Sequence, residues 1–359
     1  MSKISNQLQE LIKQKKQLAT NLNVKGVSAS QEETLNTLVP KVLSIVGGSG
    51  DVKLGTKEIT EDGQYNAYED GLDGYSSVDV NIAKNYDFMA TFLGGSTTNY
   101  TKIKMLGDVP DYAFDGLANI KEIDLTLSKE IGQSGLSGRT VLENIIAPNS
   151  LIVGDYGFSN CSKAYGEVTI SEEQTNFGDN VFYNCQKLKI NLHNKITELG
   201  KYCFYQCYNI DWTSLPSLLE SIYVYTFYRC SSLKITELPV GIKSISNYAF
   251  SYCSSIETLK IHNACKNIGT YAFRYCTGLK ELEIGTGITS MNATYCFANC
   301  TALEKVTIHA TTPPTLSSNA FYNDTALKEI RVPASALDTY KSASNWSKYA
   351  DIMVGIEGE

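Results

Sequence analysis

Apolar positions in this chain recur with a long period. "YAFSYCSSIETLKI", which begins at Tyr248, and "YAFRYCTGLKELEI", which begins at Tyr271, place aromatic, small, cysteine and aliphatic residues in the same order. Anchored on the Phe, the pattern recurs at Phe114, Phe158, Phe182, Phe204, Phe227, Phe250, Phe273, Phe297 and Phe321, with steps of 22 to 24 residues between the later copies. The gap from Phe114 to Phe158 holds two steps, and Leu136 sits at its midpoint. Six residues after nearly every anchor lies an apolar side chain, among them Leu233, Ile256, Leu279 and Leu303; the copy at Phe158 breaks the rule with Ala164. Five residues before several anchors stand Val153, Leu199, Ile222, Ile245 and Ile268.

A unit this short cannot bury its apolar face alone, whereas stacked units share a core. The pattern therefore predicts a solenoid of about ten coils over residues 111–333. The segment after each Cys reads as a short strand: in "LKELEI", Leu282 and Ile284 alternate inward while Glu281 and Glu283 face solvent. Strands stacked about 4.8 Å apart would give an array on the order of 45 Å long.

The flanks are of another kind. Ile4, Leu8, Leu11, Lys15, Leu18 and Leu22 follow coiled-coil spacing, with Lys15 the one polar member of the seam. An amphipathic helix packed on its own domain is the other reading of these positions. A second helix is expected from Gln31 to Ile45, capped by Ser30 with Glu33 three residues on and interrupted at Pro40. The domain expectation is a helical segment at 1–46, a Gly/Ser linker at 47–52 and a small β module at 53–84. An N-terminal solenoid cap at 85–110, repeats at 111–333 and a helical cap at 334–359 follow. Leu337, Tyr340, Trp346 and Tyr349 point to that last cover.

All ten cysteines fall on repeat positions, seven of them three residues after an anchor. That placement predicts buried thiols behaving as small hydrophobes. Disulfides between stacked coils are disfavoured because parallel Cβ vectors do not converge, and no close CxxC pair suggests zinc. The formal net charge of −7 speaks against a nucleic-acid surface. No run approaches the roughly 18 apolar residues of a membrane span. The polar start "MSKISNQLQELIKQ" lacks the apolar block of a secretory signal, so synthesis in the cytoplasm is expected.

Catalytic chemistry is scarce in the sequence. His193, His262 and His309 each follow a predicted strand, with no carboxylate or Cys at a motif spacing, and no Gly-rich phosphate loop, HExxH or GxSxG occurs. No catalytic, metal-binding or cofactor-binding residues are assigned. Tyr202, Tyr225, Tyr248, Tyr271 and Tyr295 lie two residues before their anchors. They form either a packed ladder that stiffens the stack or a binding stripe, since Tyr offers a flat apolar face with a polar tip. A second candidate surface is the strand face, with Lys260, Glu281, Glu283, Thr307 and Arg331.

The pattern "IxxIxxYAFxxCxxLxxLxI" resembles the BspA-like leucine-rich repeat family over about two thirds of the chain. The resemblance implies a curved leucine-rich-repeat solenoid that serves as a binding scaffold in cell-surface and adhesive proteins, with no enzymatic activity of its own. The departures are Leu136, where the Phe is lost, and Asp324, where the Cys is lost. "GTKEITEDGQYNAYEDGLDGYSSVDVNI" resembles a segment of tail and baseplate proteins of phages that infect Gram-positive bacteria. "LIKQKKQLATNLNVKGVSASQEETLNTLVPKV" is similar to the helical start of such proteins. Together these imply a tail receptor-binding protein, located on a virion tail and most simply a homotrimer. It would meet a bacterial surface carbohydrate or protein with its repeats and other tail proteins with its N terminus. A bacterial adhesin and a structural baseplate component are the alternatives.

Overall fold

In the computed structural model the described residues are the strands Leu54–Ile59, Gly74–Val80 and Lys102–Met105, then residues 107–115 and 119–358. The expected N-terminal helices lie outside them.

The coils stack through parallel strands. After most of the Cys positions runs a longer strand, as in Thr258–Ile261, Glu281–Ile284, Lys305–Ile308 and Glu329–Pro333. These pair in parallel with residues one coil apart opposite each other, for instance Leu259 with Leu282 and Leu282 with Val306. Their burial alternates, so Leu282 and Ile284 face the core while Glu281 is exposed, as two-residue periodicity requires. Before the anchors, two-residue strands (Ser221–Ile222, Ser244–Ile245, Asn267–Ile268, Ser290–Met291, Thr315–Leu316) form a second parallel sheet. At the other end, Gly74–Val80 pairs with Leu54–Ile59 on one side and Lys102–Met105 on the other. The repeat sheet therefore extends back to Leu54.

The third side of each coil is the "YAFxxC" segment, which builds a ladder of its own. Residues two before and two after the anchor adopt left-handed backbone: Tyr225 and Arg229, Tyr248 and Tyr252, and Tyr271 and Tyr275 have φ between 57° and 65°. Such φ values are uncommon outside glycine, and each costs about 1–2 kcal/mol. The alternation turns every second N–H toward the neighbouring coil. Tyr248, Phe250 and Tyr252 donate to the carbonyls of Thr270, Ala272 and Arg274 at 2.8–2.9 Å, and the same three-bond set joins the Phe227 and Phe250 coils. These inter-coil bonds offset the strain, because a turn without them would bury unpaired backbone groups.

Phe rings fill the interior as a continuous stack. From Phe158 to Phe321, neighbouring anchors lie 5.1–5.6 Å apart and within 15° of parallel. Beside them run the thiols. All ten cysteines are free and buried. The seven at the main Cys position each aim Sγ at the carbonyl of the preceding anchor, for example Cys253 at Phe227 O (3.1 Å) and Cys276 at Phe250 O (3.3 Å). They are therefore donors as well as small hydrophobes. Burial pushes the ionisation of Cys185, Cys207, Cys230, Cys253 and Cys300 up, and that of Cys161 to about 12, which keeps these thiols protonated and poorly nucleophilic at neutral pH.

A natural replacement at this position clarifies its role. In the coil anchored by Leu136, Arg139 stands where most other coils have Cys, and its Nη1 donates to the Phe114 carbonyl. There a very different side chain serves because it supplies the same donor. A hydroxyl at Cys253 would accordingly find Phe227 O as its partner. Cys253→Ser is expected to cost about 1 kcal/mol, the size of one modest hydrogen-bond change. Urea denaturation measures it, and a loss of about 3 kcal/mol or more would mean that the thiol acts only as apolar packing. Native thiol labelling should be slow for the whole set and complete in denaturant.

The C-terminal end is covered as the aromatic residues there suggest. Helix Leu337–Ser342 and the 3-10 turn Ser347–Ile352 pack over the last coil. The Tyr340 hydroxyl donates to Ala310 O (2.9 Å) and Trp346 Nε1 to Pro314 O (2.8 Å). Tyr349 meets the Phe321 ring edge-on at 5.9 Å. A final strand, Met353–Ile356, then adds to the sheet alongside Glu329–Pro333.

Candidate functional site

The Tyr residues before the anchors come together as a second ring stack. Tyr202, Tyr225, Tyr248, Tyr271 and Tyr295 follow one another at 4.8, 4.6, 4.8 and 5.5 Å. Each ring covers the face of the next, so a ligand meets edges and hydroxyls rather than flat faces along this stripe. Burial and the neighbouring phenols push the Tyr225 ionisation up to about 12, so its hydroxyl is neutral. Pairs of this kind add about 0.5–1.5 kcal/mol beyond area burial. Tyr248→Ser is thus expected to weaken the stack by about 1–3 kcal/mol across its two contacts, read as a lowered urea midpoint with an unchanged far-ultraviolet spectrum. No change in midpoint would mean that the rings contribute no stacking.

The strand-face candidates also lie side by side, and they are occupied with one another. Lys260 pairs with Glu283 (2.6 Å), Lys305 with Glu281 (2.8 Å) and Arg331 with Glu329 (2.7 Å). Thr307 stands in register between Glu283 and Arg331. The hydrogen bond from Lys260 holds the Glu283 carboxyl below its ordinary range and raises the lysine in turn. The histidines join the same pattern. His309 Nε2 sits 3.3 Å from Glu283, His262 Nε2 3.0 Å from Glu237, and His193 Nε2 2.8 Å from Ser171 O. The partners of His262 and His309 are not legible in the sequence because each lies a full coil away. Other Lys–Glu pairs one coil apart include Lys243–Glu220, Lys280–Glu257 and Lys328–Glu304 at 2.5–2.8 Å. Exposed pairs of this kind contribute little each, but they leave a surface on which charges are cancelled coil by coil. Among the described residues no group of three His, Cys, Asp or Glu is placed to hold a metal ion. No described helix is long and apolar enough to cross a membrane.

One groove differs. It runs across four coils beside the "YAFxxC" turns and is lined by Tyr208, Arg229, Ser231, Tyr252, Ser254, Tyr275 and Thr277. Tyr208, Ser231, Ser254 and Thr277 all occupy the fourth place after their anchors, and Arg229, Tyr252 and Tyr275 the second. The left-handed turn at the second place aims those side chains outward together. Arg229 lies over the rings of Tyr252 (5.0 Å) and Tyr228 (5.6 Å), and Arg274 over Tyr275 (4.7 Å) and Tyr271 (5.0 Å). A bond to the Tyr208 hydroxyl raises the Arg229 pKa further. Sequence reasoning passed over this cluster. The signal was available in the recurrence of Tyr and Arg two places after Phe227, Phe250 and Phe273.

Fold and surface define a class: a parallel β-solenoid repeat protein with an aromatic turn face and a self-paired strand face. The sequence profile described as "BspA type Leucine rich repeat region" matches residues 89–211 and 197–328, and the chain belongs to that family. Among solved structures it is similar to a leucine-rich repeat protein from Bacteroides ovatus, at 20% identity over 79% of this chain and 88% of the other (TM-score 0.42). It is also similar to a leucine-rich cell surface protein from Faecalibacterium prausnitzii, at 18% identity over 81% and 89% (TM-score 0.40). A third similar structure is the pneumococcal vaccine antigen PcpA, at 15% identity over 84% and 88% (TM-score 0.38). No curated protein matches the chain.

Proposed function

We propose that this chain is a receptor-binding protein of a phage or phage-derived tail. Its repeats adhere to a bacterial surface glycopolymer or protein by binding, without a reaction of their own. The observation that carries the adhesive half is the combination of a rigid stack with an open aromatic groove spanning several coils. Rings and hydroxyls held on backbone bonded coil to coil offer a preorganised surface at low entropy cost. The tail half rests on "GTKEITEDGQYNAYEDGLDGYSSVDVNI" and the helical sequence before it. In this reading the N-terminal region attaches the protein to the tail and sets a homotrimer, and several weak contacts on one oligomer add up to firm adhesion. Light scattering should then give about three times the monomer mass, and Leu11→Asp with Leu18→Asp should release monomers with intact repeats; a monomeric parent protein would contradict the seam.

Electron microscopy with a gold-labelled antibody to the repeats tests the placement. Particles released from cells that encode this chain should carry gold at the tail tip. Gold on the cell envelope, with tails bare, would instead make the protein a surface adhesin. Gold along the baseplate of particles whose adsorption the antibody does not block would make it a structural component.

A further inference from the structure

We propose that the Arg229–Arg274 groove is the reading site itself and that its ligand is an acidic glycopolymer bearing carboxylate or phosphate groups. This deepens the adhesion reading above and rests on it. The placing of two arginines sets the groove apart. Several lysines elsewhere on the described surface meet carboxylates of neighbouring coils, among them Lys243, Lys260, Lys280, Lys305 and Lys328. Arg229 and Arg274 have no carboxylate partner within ion-pair distance among the described residues, and none of the groove's lining residues is acidic. Instead both guanidinium groups are held over tyrosine rings. In each, Nε is buried with no hydrogen-bond partner. A buried donor left unmatched within a protein calls for an explanation. Arg229 lines the groove, and Arg274 packs on its lining residue Tyr275 and donates to that hydroxyl at 3.4 Å, so the remaining guanidinium edges of both are offered to an outside acceptor.

The chemistry of the lining fits that acceptor. Arginine stacked on an aromatic ring is fixed in plane, and its fork matches carboxylate and phosphate oxygens two at a time. Ser231, Ser254 and Thr277 add hydroxyls along the same groove, which suit sugar hydroxyls. Tyr252 and Tyr275, stacked on each other at 4.6 Å, and Tyr208 supply ring edges and hydroxyls. Arg229 belongs to the coil of Phe227 and Arg274 to that of Phe273, two coils on, so the two cations stand about 10 Å apart along the stack. That is the scale of a charge recurring along a polymer rather than of a single small anion. The chain's net charge of −7 opposes non-specific attraction of polyanions, so binding has to come from this local pair.

The full-length protein is titrated calorimetrically with three polymers: oligogalacturonate for carboxylate, poly(glycerol phosphate) for phosphate, and neutral dextran. At about 50 mM salt it should bind at least one acidic polymer and not dextran, and binding should weaken at about 300 mM. Which acidic polymer binds identifies the anion. Arg229→Gln with Arg274→Gln should lower affinity by roughly tenfold or more, as expected when charge-assisted bonds are lost. Should that pair disturb the fold, Thr277→Glu serves instead. Thr277 is exposed, so the new carboxylate leaves the core alone while competing for the groove. No binding to either acidic polymer, or binding that a folded variant leaves unchanged, overturns the proposal. Adhesion to whole bacteria separates the two readings. Cells held equally by parent and variant proteins remove the groove and leave the adhesion reading standing, whereas parent protein that holds no cells removes the adhesion reading itself.

Discussion

Phe250→Ala is expected to destabilise the protein by about 3–5 kcal/mol, the cost of emptying a fully buried aromatic position. Phe250 is completely buried and stacks at 5.2 Å on both Phe227 and Phe273. Removing the ring therefore opens a hole between two others that cannot close, because the backbone on either side is tied coil to coil through the bonds of Tyr248, Phe250 and Tyr252. A solenoid has a further vulnerability. Its stability is a sum of units and nearest-neighbour interfaces, and this substitution weakens two interfaces at the middle of the array. Denaturation followed by circular dichroism should show a lowered midpoint and a broadened or split transition as the two halves part company. A cost below about 1 kcal/mol with one sharp transition would mean that the Phe stack is not the spine of the fold.

The second large effect concerns Asp324, which occupies the Cys position of the last regular coil. Its Oδ1 accepts from the Cys300 N–H at 2.8 Å, but its buried Oδ2 has no partner. In the coils from Leu136 to Phe297 this position presents a donor to the preceding anchor carbonyl, and an ionised carboxylate has none to give. Desolvation pushes the Asp324 pKa up to about 8 from an ordinary 3.8. The sign follows from proton counting. Below about pH 4 the carboxyl is protonated whether folded or not, and it costs nothing. Between about pH 4 and 8 the unfolded chain releases the proton while the native state keeps it, so stability falls as pH rises. Above about 8 both states are ionised and the loss is complete.

Asp324→Asn keeps the acceptor for Cys300, supplies a donor and removes the titration. It should stabilise the protein at pH 7 by about 2–4 kcal/mol and leave it little changed at pH 4. The surface glutamates bonded to lysine, such as Glu257 and Glu304, have lowered pKa values. They contribute stability above the ordinary carboxylate range that is lost as pH falls through it, so they do not mask the effect between pH 5 and 8. Urea melts of parent and variant across that range give the difference directly. Parallel curves would show that Asp324 is already accommodated as a carboxylate.

The period of the coils was readable because each coil must bury one face against its neighbours, which forces Phe, Cys and aliphatic residues into register. The buried partners of that register, such as Leu282 opposite Val306, follow from it without further information. The left-handed turns were not readable. Tyr at φ near 57° runs against local preference, and only the coil-to-coil hydrogen bonds, which are long-range, make it tolerable. The donor role of the thiols was hidden for the same reason, since Phe227 O reaches Cys253 only after stacking. Candidate surfaces fared unevenly. The Tyr stripe and the strand face each sit together as their spacing implies, but the sequence does not reveal that rings at 4.6–5.5 Å cover one another or that Lys260 is claimed by Glu283. The groove lined by Arg229 emerges only when side chains two and four places after different anchors are brought side by side.

Adhesion is the central claim, and it is tested most directly by retention of the fluorescently labelled full-length protein on intact Gram-positive bacteria and on walls purified from them. Saturable retention is predicted, competed by unlabelled protein and by soluble wall polymer, with no new reducing ends appearing in the polymer. Retention no better than that of an unrelated acidic protein on every wall offered, or steady release of reducing ends, would contradict it.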